Sequence, residues 1–212
     1  GKRREPGRIE RIRPDGSIEV LITEIDGEPL TSPNDLGFDE YGNFYFTDPV
    51  YGEKGLVDPP PGSVCFSDLE GNARRLHKGF QFPNGIGVTS NGRTLIVAES
   101  TTFTLHAFDI LEPGVVGEPR LFGDLGNGSM PDGFAFDAEG NVLCCGYMSG
   151  KIHVFGPSGG DKIEEIEFED PRVTNVAFGG PQHKTLYVTE SSLGRVVCTE
   201  WHRPGMVLFP DR

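Results

Sequence analysis

A four-fold internal repeat limits what this chain can fold into more than any other feature. "PNDLGFDEYGNFYFTDP" runs from residue 33, "PNGIGVTSNGRTLIVAES" from 83, "PDGFAFDAEGNVLCCGYM" from 131 and "TNVAFGGPQHKTLYVTES" from 174. A polar residue leads each unit: Asn34, Asn84, Asp132 and Asn175, separated by 50, 48 and 43 residues. Eight residues after each leader comes the turn position of a hairpin: Gly42, Gly92, Gly140 and His183. Asn91-Gly92 between two apolar runs is the strongest short hairpin signal. Between these hairpins lie further strand pairs, at 62–79, 103–122 and 150–168. Four antiparallel strands recurring about every 45 residues are the mark of a β-propeller blade.

Composition supports an all-β chain. The 212 residues include 30 Gly and 17 Pro, a density of breakers that few helices tolerate. One β-propeller domain is expected over residues 1–212. It is expected to be incomplete, with about four blades plus an outer half-blade. "GRIERIRPDGSIEVL" reads as the outer strand pair of a blade whose inner pair lies upstream, so one or more N-terminal blades are expected to be missing. A closed four-bladed ring is the structural alternative. An open arc exposes apolar blade faces, which predicts low stability and weak metal binding for the chain alone.

The net charge of −13 argues against a nucleic-acid partner, which requires a basic face. It serves solubility, or else some of the carboxylates serve a cation. No apolar run reaches the roughly 18 residues of a membrane span. The four cysteines include no C-x-x-C pair and read as reduced, packed thiols. No signal peptide is visible, and the expected compartment is the cytoplasm, although the chain opens at "GKRREPG" without a Met.

In a propeller the starts of the inner strands converge at one channel mouth, so leaders in phase form a ring. Pro33, Pro83 and Pro131 pre-set the entry to each strand. Pro-Asn-Gly and Pro-Asp-Gly are also ordinary turn sequences, and a single copy would be read as a turn. Amide carbonyls and one carboxylate are hard oxygen donors suited to Ca²⁺ or Mg²⁺ and less to zinc. A cation there polarises a substrate carbonyl, and Asp132 can take a proton from water. Asp48, Glu99 and Glu190 end second strands at the same mouth, 14 or 15 residues after their leaders. They are candidates for substrate hydroxyls or for the outer shell of a metal. His106 and His153 read as packing or rim residues. No nucleophile elbow, P-loop or H-E-x-x-H motif is present.

The four repeat motifs resemble the gluconolactonase, regucalcin (senescence marker protein) and luciferin-regenerating enzyme family over nearly the whole chain. The resemblance implies a six-bladed propeller with one divalent cation, Ca²⁺ first and Mg²⁺, Mn²⁺ or Zn²⁺ as alternatives. It implies a gluconolactonase-like lactone hydrolase acting on a small-molecule lactone. Asn84 and Asp132 would then be metal ligands, with Asp132 also the general base. Asn34 would contact ion or substrate, and Asp48 would be a substrate-binding candidate. The alternatives are a non-catalytic calcium-binding propeller and an organophosphate hydrolase. Two departures stand out. The family's Glu-Gly-Pro metal motif has no match here, since Glu5-Pro6-Gly7 carries the letters in another order. Ser32 stands where animal members carry a basic residue.

Overall fold

The computed structural model describes residues 6–210. Strands β1 (Ile9–Ile12) and β2 (Ile18–Ile22) pair as a two-stranded antiparallel sheet. This is the outer pair expected from the sequence. A short ribbon follows, β3 (Glu24–Ile25) with β4 (Glu28–Pro29).

Four antiparallel blades come next. Blade 1 is β5 (Leu36–Phe38), β6 (Phe44–Asp48), β7 (Gly62–Ser67) and β8 (Ala73–Phe80), hydrogen-bonded in that order. Blade 2 is β9 (Pro83–Val88), β10 (Thr94–Glu99) and β11 (Thr104–Glu112), with β12 (Val115–Val116) and β13 (Arg120–Asp124) both paired to β11. Blade 3 is β14 (Met130–Phe136), β15 (Val142–Tyr147), β16 (Lys151–Phe155) and β17 (Lys162–Glu167). Blade 4 has three strands, β18 (Val173–Gly179), β19 (Thr185–Glu190) and β20 (Arg195–Glu200). The chain is therefore all-β, with a four-blade propeller arrangement and a preceding half-blade.

The turn chemistry explains the repeat. Gly42, Gly92 and Gly140 all take positive φ, and so does His183, at 54°. The eight-residue offset thus marks a backbone conformation kept even where the residue is not glycine. In blade 1, Asp39 Oδ1 accepts from the Tyr41 and Asn43 N–H groups, and in blade 3 Asp137 Oδ1 does the same for Glu139 and Asn141.

Core packing lies between blades. Tyr45 and Val64 of blade 1 pack on Ile86, Leu95, Val97 and Phe108 of blade 2. Phe136, Val142 and Cys144 of blade 3 pack on Ile96, Leu105 and Ala107. The inner strands approach so closely that only glycine fits. A Cβ on Gly85 would lie 2.4 Å from the Asp132 carbonyl oxygen, and one on Gly133 would lie 2.4 Å from the Asn175 side chain. Gly85 and Gly133 are thus strand residues at blade seams, and the turn reading of Pro-Asn-Gly and Pro-Asp-Gly gives way.

Among the described residues β5 and β18 do not pack on one another as neighbouring inner strands do. The closed four-bladed ring is therefore not formed. A C-terminal strap instead runs from blade 4 beneath blade 3 to blade 1. Gly205 N–H donates to His183 O at 2.7 Å, Met206 N–H donates to Phe136 O at 2.9 Å, and the Phe209 ring sits 5.5 Å from Phe38. The outer face of the half-blade is bare, with Ile12 71% and Ile18 62% exposed. Three cysteines are buried free thiols, whereas Cys198 is exposed because β20 is an edge strand. No helix among the described residues is long and apolar enough to cross a membrane.

Candidate active site at the channel mouth

The leaders occupy irregular positions in their ladders. The β14–β15 register breaks between Pro131 and Phe134, which leaves Asp132 and Gly133 without regular partners. The β9–β10 register breaks opposite Asn84, and the β18–β19 register breaks between Val173 and Asn175. Such bulges re-aim a side chain out of the plane of its sheet. In blade 1 the leader precedes the strand, and Asn34 is fixed by its N–H to Thr47 O at 2.9 Å.

Asn84 and Asp132 are brought together. Asn84 is buried, and its side chain hydrogen-bonds the Asp132 carboxyl. Its Nδ2 also donates to Ser100 Oγ at 3.2 Å. Burial pushes the Asp132 carboxyl up to about 7, and the nearby charge of Asp35 adds to the rise. The Asn84 and Gly133 hydrogen bonds oppose it. Asp35 is itself raised by burial, although it accepts from Leu36 N–H at 2.9 Å and Ile86 N–H at 3.4 Å. Asn34 and Asn175 are exposed, and the Asn175 side chain lies against Gly133 beside Asp132.

Sequence reasoning missed Asp35. It adjoins Asn34 and was hidden by the alignment of leaders, whose next residue is glycine in blades 2 and 3. The signal was a second carboxylate at the position where blades 2 and 3 carry glycine and blade 4 carries valine.

Asp48 is 3% exposed, and its carboxylate is turned to the backbone. Oδ1 accepts from Thr31 N–H at 3.0 Å and Ser32 N–H at 2.7 Å. Glu99 accepts from Gln81 N–H at 2.5 Å and lies 2.9 Å from His106 Nε2. Burial raises its carboxyl, but the hydrogen bonds from His106, Gln81 and Thr102 outweigh this and hold it below the usual range. Glu190 pairs with Arg195 and accepts from Asp170 N–H at 3.4 Å. In each of these blades a carboxylate ties the loop that leads into the inner strand.

Below the ring the channel holds a cavity of about 610 Å³. Asp35, Asn175 and His183 are its polar side chains, Leu36, Ile86, Phe134 and Val176 line its walls, and strap residues 206–209 line it as well.

The donor set is compatible with a hard cation. Asn84 and Asp132 bring an amide and a carboxyl together, and the groups acting on the raised Asp132 carboxyl include no basic side chain among the described residues. No group of three or more His, Cys, Asp or Glu side chains suited to a metal occurs among the described residues, so amides would have to complete the shell. Glu5 lies outside the described residues.

Residues 5–192 match the SMP-30/Gluconolactonase/LRE-like region. The chain belongs to that family. It is 33% identical over 207 residues to diisopropyl-fluorophosphatase of Loligo vulgaris, a match covering 92% of this chain and 65% of that protein. It is 25% identical over 194 residues to gluconolactonase of Zymomonas mobilis, covering 75% of this chain and 54% of that protein. A solved luciferin-regenerating enzyme superposes with a TM-score of 0.84 at 20% identity, covering 96% of this chain and 74% of that one. The chain thus spans about two thirds or less of the length of these curated relatives. Some of its relatives are hydrolases by name, such as this gluconolactonase and this fluorophosphatase, and others are named regucalcin.

Proposed function

We propose that residues 1–212 form one propeller domain that hydrolyses small lactones with the help of a divalent cation, Ca²⁺ first. Asn34, Asn84 and Asp132 hold the ion, Asp132 is also the general base, and Asn34 reaches the substrate. Asp48 would meet substrate only by releasing the Thr31 and Ser32 N–H groups. The observation that carries the proposal is the Asp132 carboxyl, half-buried, tied to Asn84 and raised to about 7. That rise reflects burial without an ion, and a bound cation would favour the ionised carboxylate that can both hold the ion and accept a proton.

A bound cation supplies Lewis-acid polarisation of the ester carbonyl. Asp132 accepts a proton from the attacking water, whose oxygen bonds to the carbonyl carbon. The ring C–O bond then breaks, and the freed alkoxide receives the proton back from Asp132. Asn84 orients the carboxyl through its side-chain hydrogen bond. The Gly133 N–H steadies the same group from its own strand.

The test measures D-glucono-1,5-lactone hydrolysis by the chain with and without a chelator, and by Asp132→Ala. Chelator and substitution are each expected to slow turnover at least about 100-fold. Equal rates in all three remove the proposal. Calcium uptake without turnover would favour a non-catalytic ion-binding propeller.

A second chemistry has a specific support. Identity to diisopropyl-fluorophosphatase is 33%, against 25% for the gluconolactonase. Phosphotriester hydrolysis needs the same polarising ion and oxygen donors. Diisopropyl fluorophosphate in a parallel assay separates the two.

A further inference from the structure

A clasp holds the loop ahead of each leader, and blade 3 builds its clasp differently. In blade 1, Asp48 holds the N–H of Thr31, three residues before Asn34. In blade 2, Glu99 holds that of Gln81, three before Asn84. In blade 4, Glu190 holds Asp170 N–H, and Asp170 Oδ1 accepts from Arg172 N–H at 2.7 Å, three before Asn175. The corresponding residue of blade 3 is Tyr147, which has no carboxylate.

Ser129 lies three residues before Asp132 and is 4% exposed. Its Oγ is 2.7 Å from His153 Nε2 and 2.8 Å from Ser149 Oγ. His153 Nδ1 is 2.8 Å from Glu165 Oε1. Lys162 and Lys151, at 2.9 Å and 3.0 Å, hold the Glu165 carboxyl down to about 2, with Lys162 the larger influence. Glu165 is therefore an anion that accepts the Nδ1 proton. Burial lowers His153, which favours a neutral ring with Nε2 as acceptor. The Ser129 hydroxyl then donates to Nε2. Space for the cluster comes from Gly146, where a Cβ would lie 2.1 Å from Ser129 Oγ and 2.9 Å from His153 Nε2.

We infer that Ser129 and His153, backed by Glu165, are the positioning residues that fix Asp132 at the channel mouth; the inference rests on the proposed role of Asp132. The register break leaves Asp132 and Gly133 without ladder partners, so beside Asn84 on the carboxyl and Ser100 on the Pro131 carbonyl their place depends on what anchors the strand just upstream. Met130 and Pro131 pair with Tyr147 and Gly146, and Ser129 anchors the segment directly before them. Serine, histidine and glutamate in series also resemble a nucleophile with its base. Ser129 is buried, however, and does not line the channel cavity, so its hydroxyl does not meet substrate there.

The test uses the chain with Ser129→Ala, His153→Phe and the conservative Ser129→Thr. Amide hydrogen exchange is read at Asp132 and Gly133 against residues 142–147 of the same blade, and Ca²⁺ affinity is read by calorimetry. Ser129→Ala is expected to speed exchange at Asp132 and Gly133 about tenfold while sparing 142–147, and to weaken Ca²⁺ about tenfold. Ser129→Thr keeps the hydroxyl and is expected to restore both. Unchanged exchange at Asp132, or equal acceleration throughout the blade, overturns the inference. If the unmodified chain takes up no Ca²⁺, the metal proposal fails, while the exchange measurement still decides the role of Ser129.

Discussion

The Ser100 hydroxyl donates to the Pro131 carbonyl at 2.6 Å, across the seam between blades 2 and 3. The same oxygen accepts from Asn84 Nδ2 at 3.2 Å. One buried hydroxyl thereby links the amide leader of blade 2 to the residue next to Asp132. The two side chains that meet at the mouth are referenced to a common atom, not merely to their own strands.

Ser100→Ala removes that atom. It strands the Asn84 amide and the Pro131 carbonyl in a site where water enters poorly, at a cost of about 1–3 kcal/mol. Urea unfolding is expected to show a lower midpoint with an unchanged slope. Titration with Ca²⁺ is expected to show weakened binding because Asn84 loses its second anchor.

Gly85 supplies room, not conformational freedom. Its φ is not positive, but a Cβ there meets backbone at 2.4 Å. Gly85→Ala is therefore expected to lose about 1–3 kcal/mol or more. Gly117→Ala, with no atom closer than 3.8 Å, is expected to be near neutral. Denaturant midpoints of the two variants provide the check.

Much of this was legible in the sequence, because a repeat of turns fixes a repeat of strands. The Gly42, Gly92 and Gly140 hairpins, the outer pair from Ile9 to Ile22 and the meeting of Asn84 with Asp132 all follow from phase alone. Asp35 was not legible, since its role depends on which neighbouring strand lies opposite. Nor was the direction of Asp48. Phase places that carboxylate at the mouth, but only the fold shows Thr31 and Ser32 N–H groups within its reach. The strap from Trp201 to Phe209 has no repeat to announce it, and its bonds to His183 and Phe136 are long-range.

Stability is expected to fall as pH rises, with a sign set by Asp132. Its folded carboxyl sits at about 7, above the roughly 3.9 of an unfolded aspartate. The native state keeps the proton longer, so the group favours folding most at low pH. That advantage is lost between about pH 4 and pH 7. Asp132→Asn removes the loss. Calorimetric melting in the presence of a chelator is expected to show the variant more stable than the parent at pH 8 and level with it at pH 4. Asp35, also raised by burial, adds a slope of the same sign to both proteins.

The bare half-blade face favours self-association. Ile12 and Ile18 are register partners on one side of a two-stranded sheet and are largely exposed. Exposed apolar strands of this kind are templates for sticking. The double substitution Ile12→Lys, Ile18→Lys is expected to reduce concentration-dependent light scattering without lowering the melting temperature.

Asp48 separates two roles that the sequence leaves joined. Its Oδ1 accepts from both Thr31 and Ser32 N–H groups, and Ser32 Oγ in turn donates to Pro49 O at 2.5 Å. Asp48→Asn keeps the size but replaces an acceptor-only group with one that must present either an oxygen or an NH₂ to those donors. As a clasp, Asp48 predicts a stability loss of about 1–3 kcal/mol. The KM for lactone would then stay within about twofold, because uniform binding is untouched. A raised KM with an unchanged melting temperature would instead place Asp48 against the substrate. Steady-state kinetics and thermal unfolding on the same preparation distinguish the two outcomes.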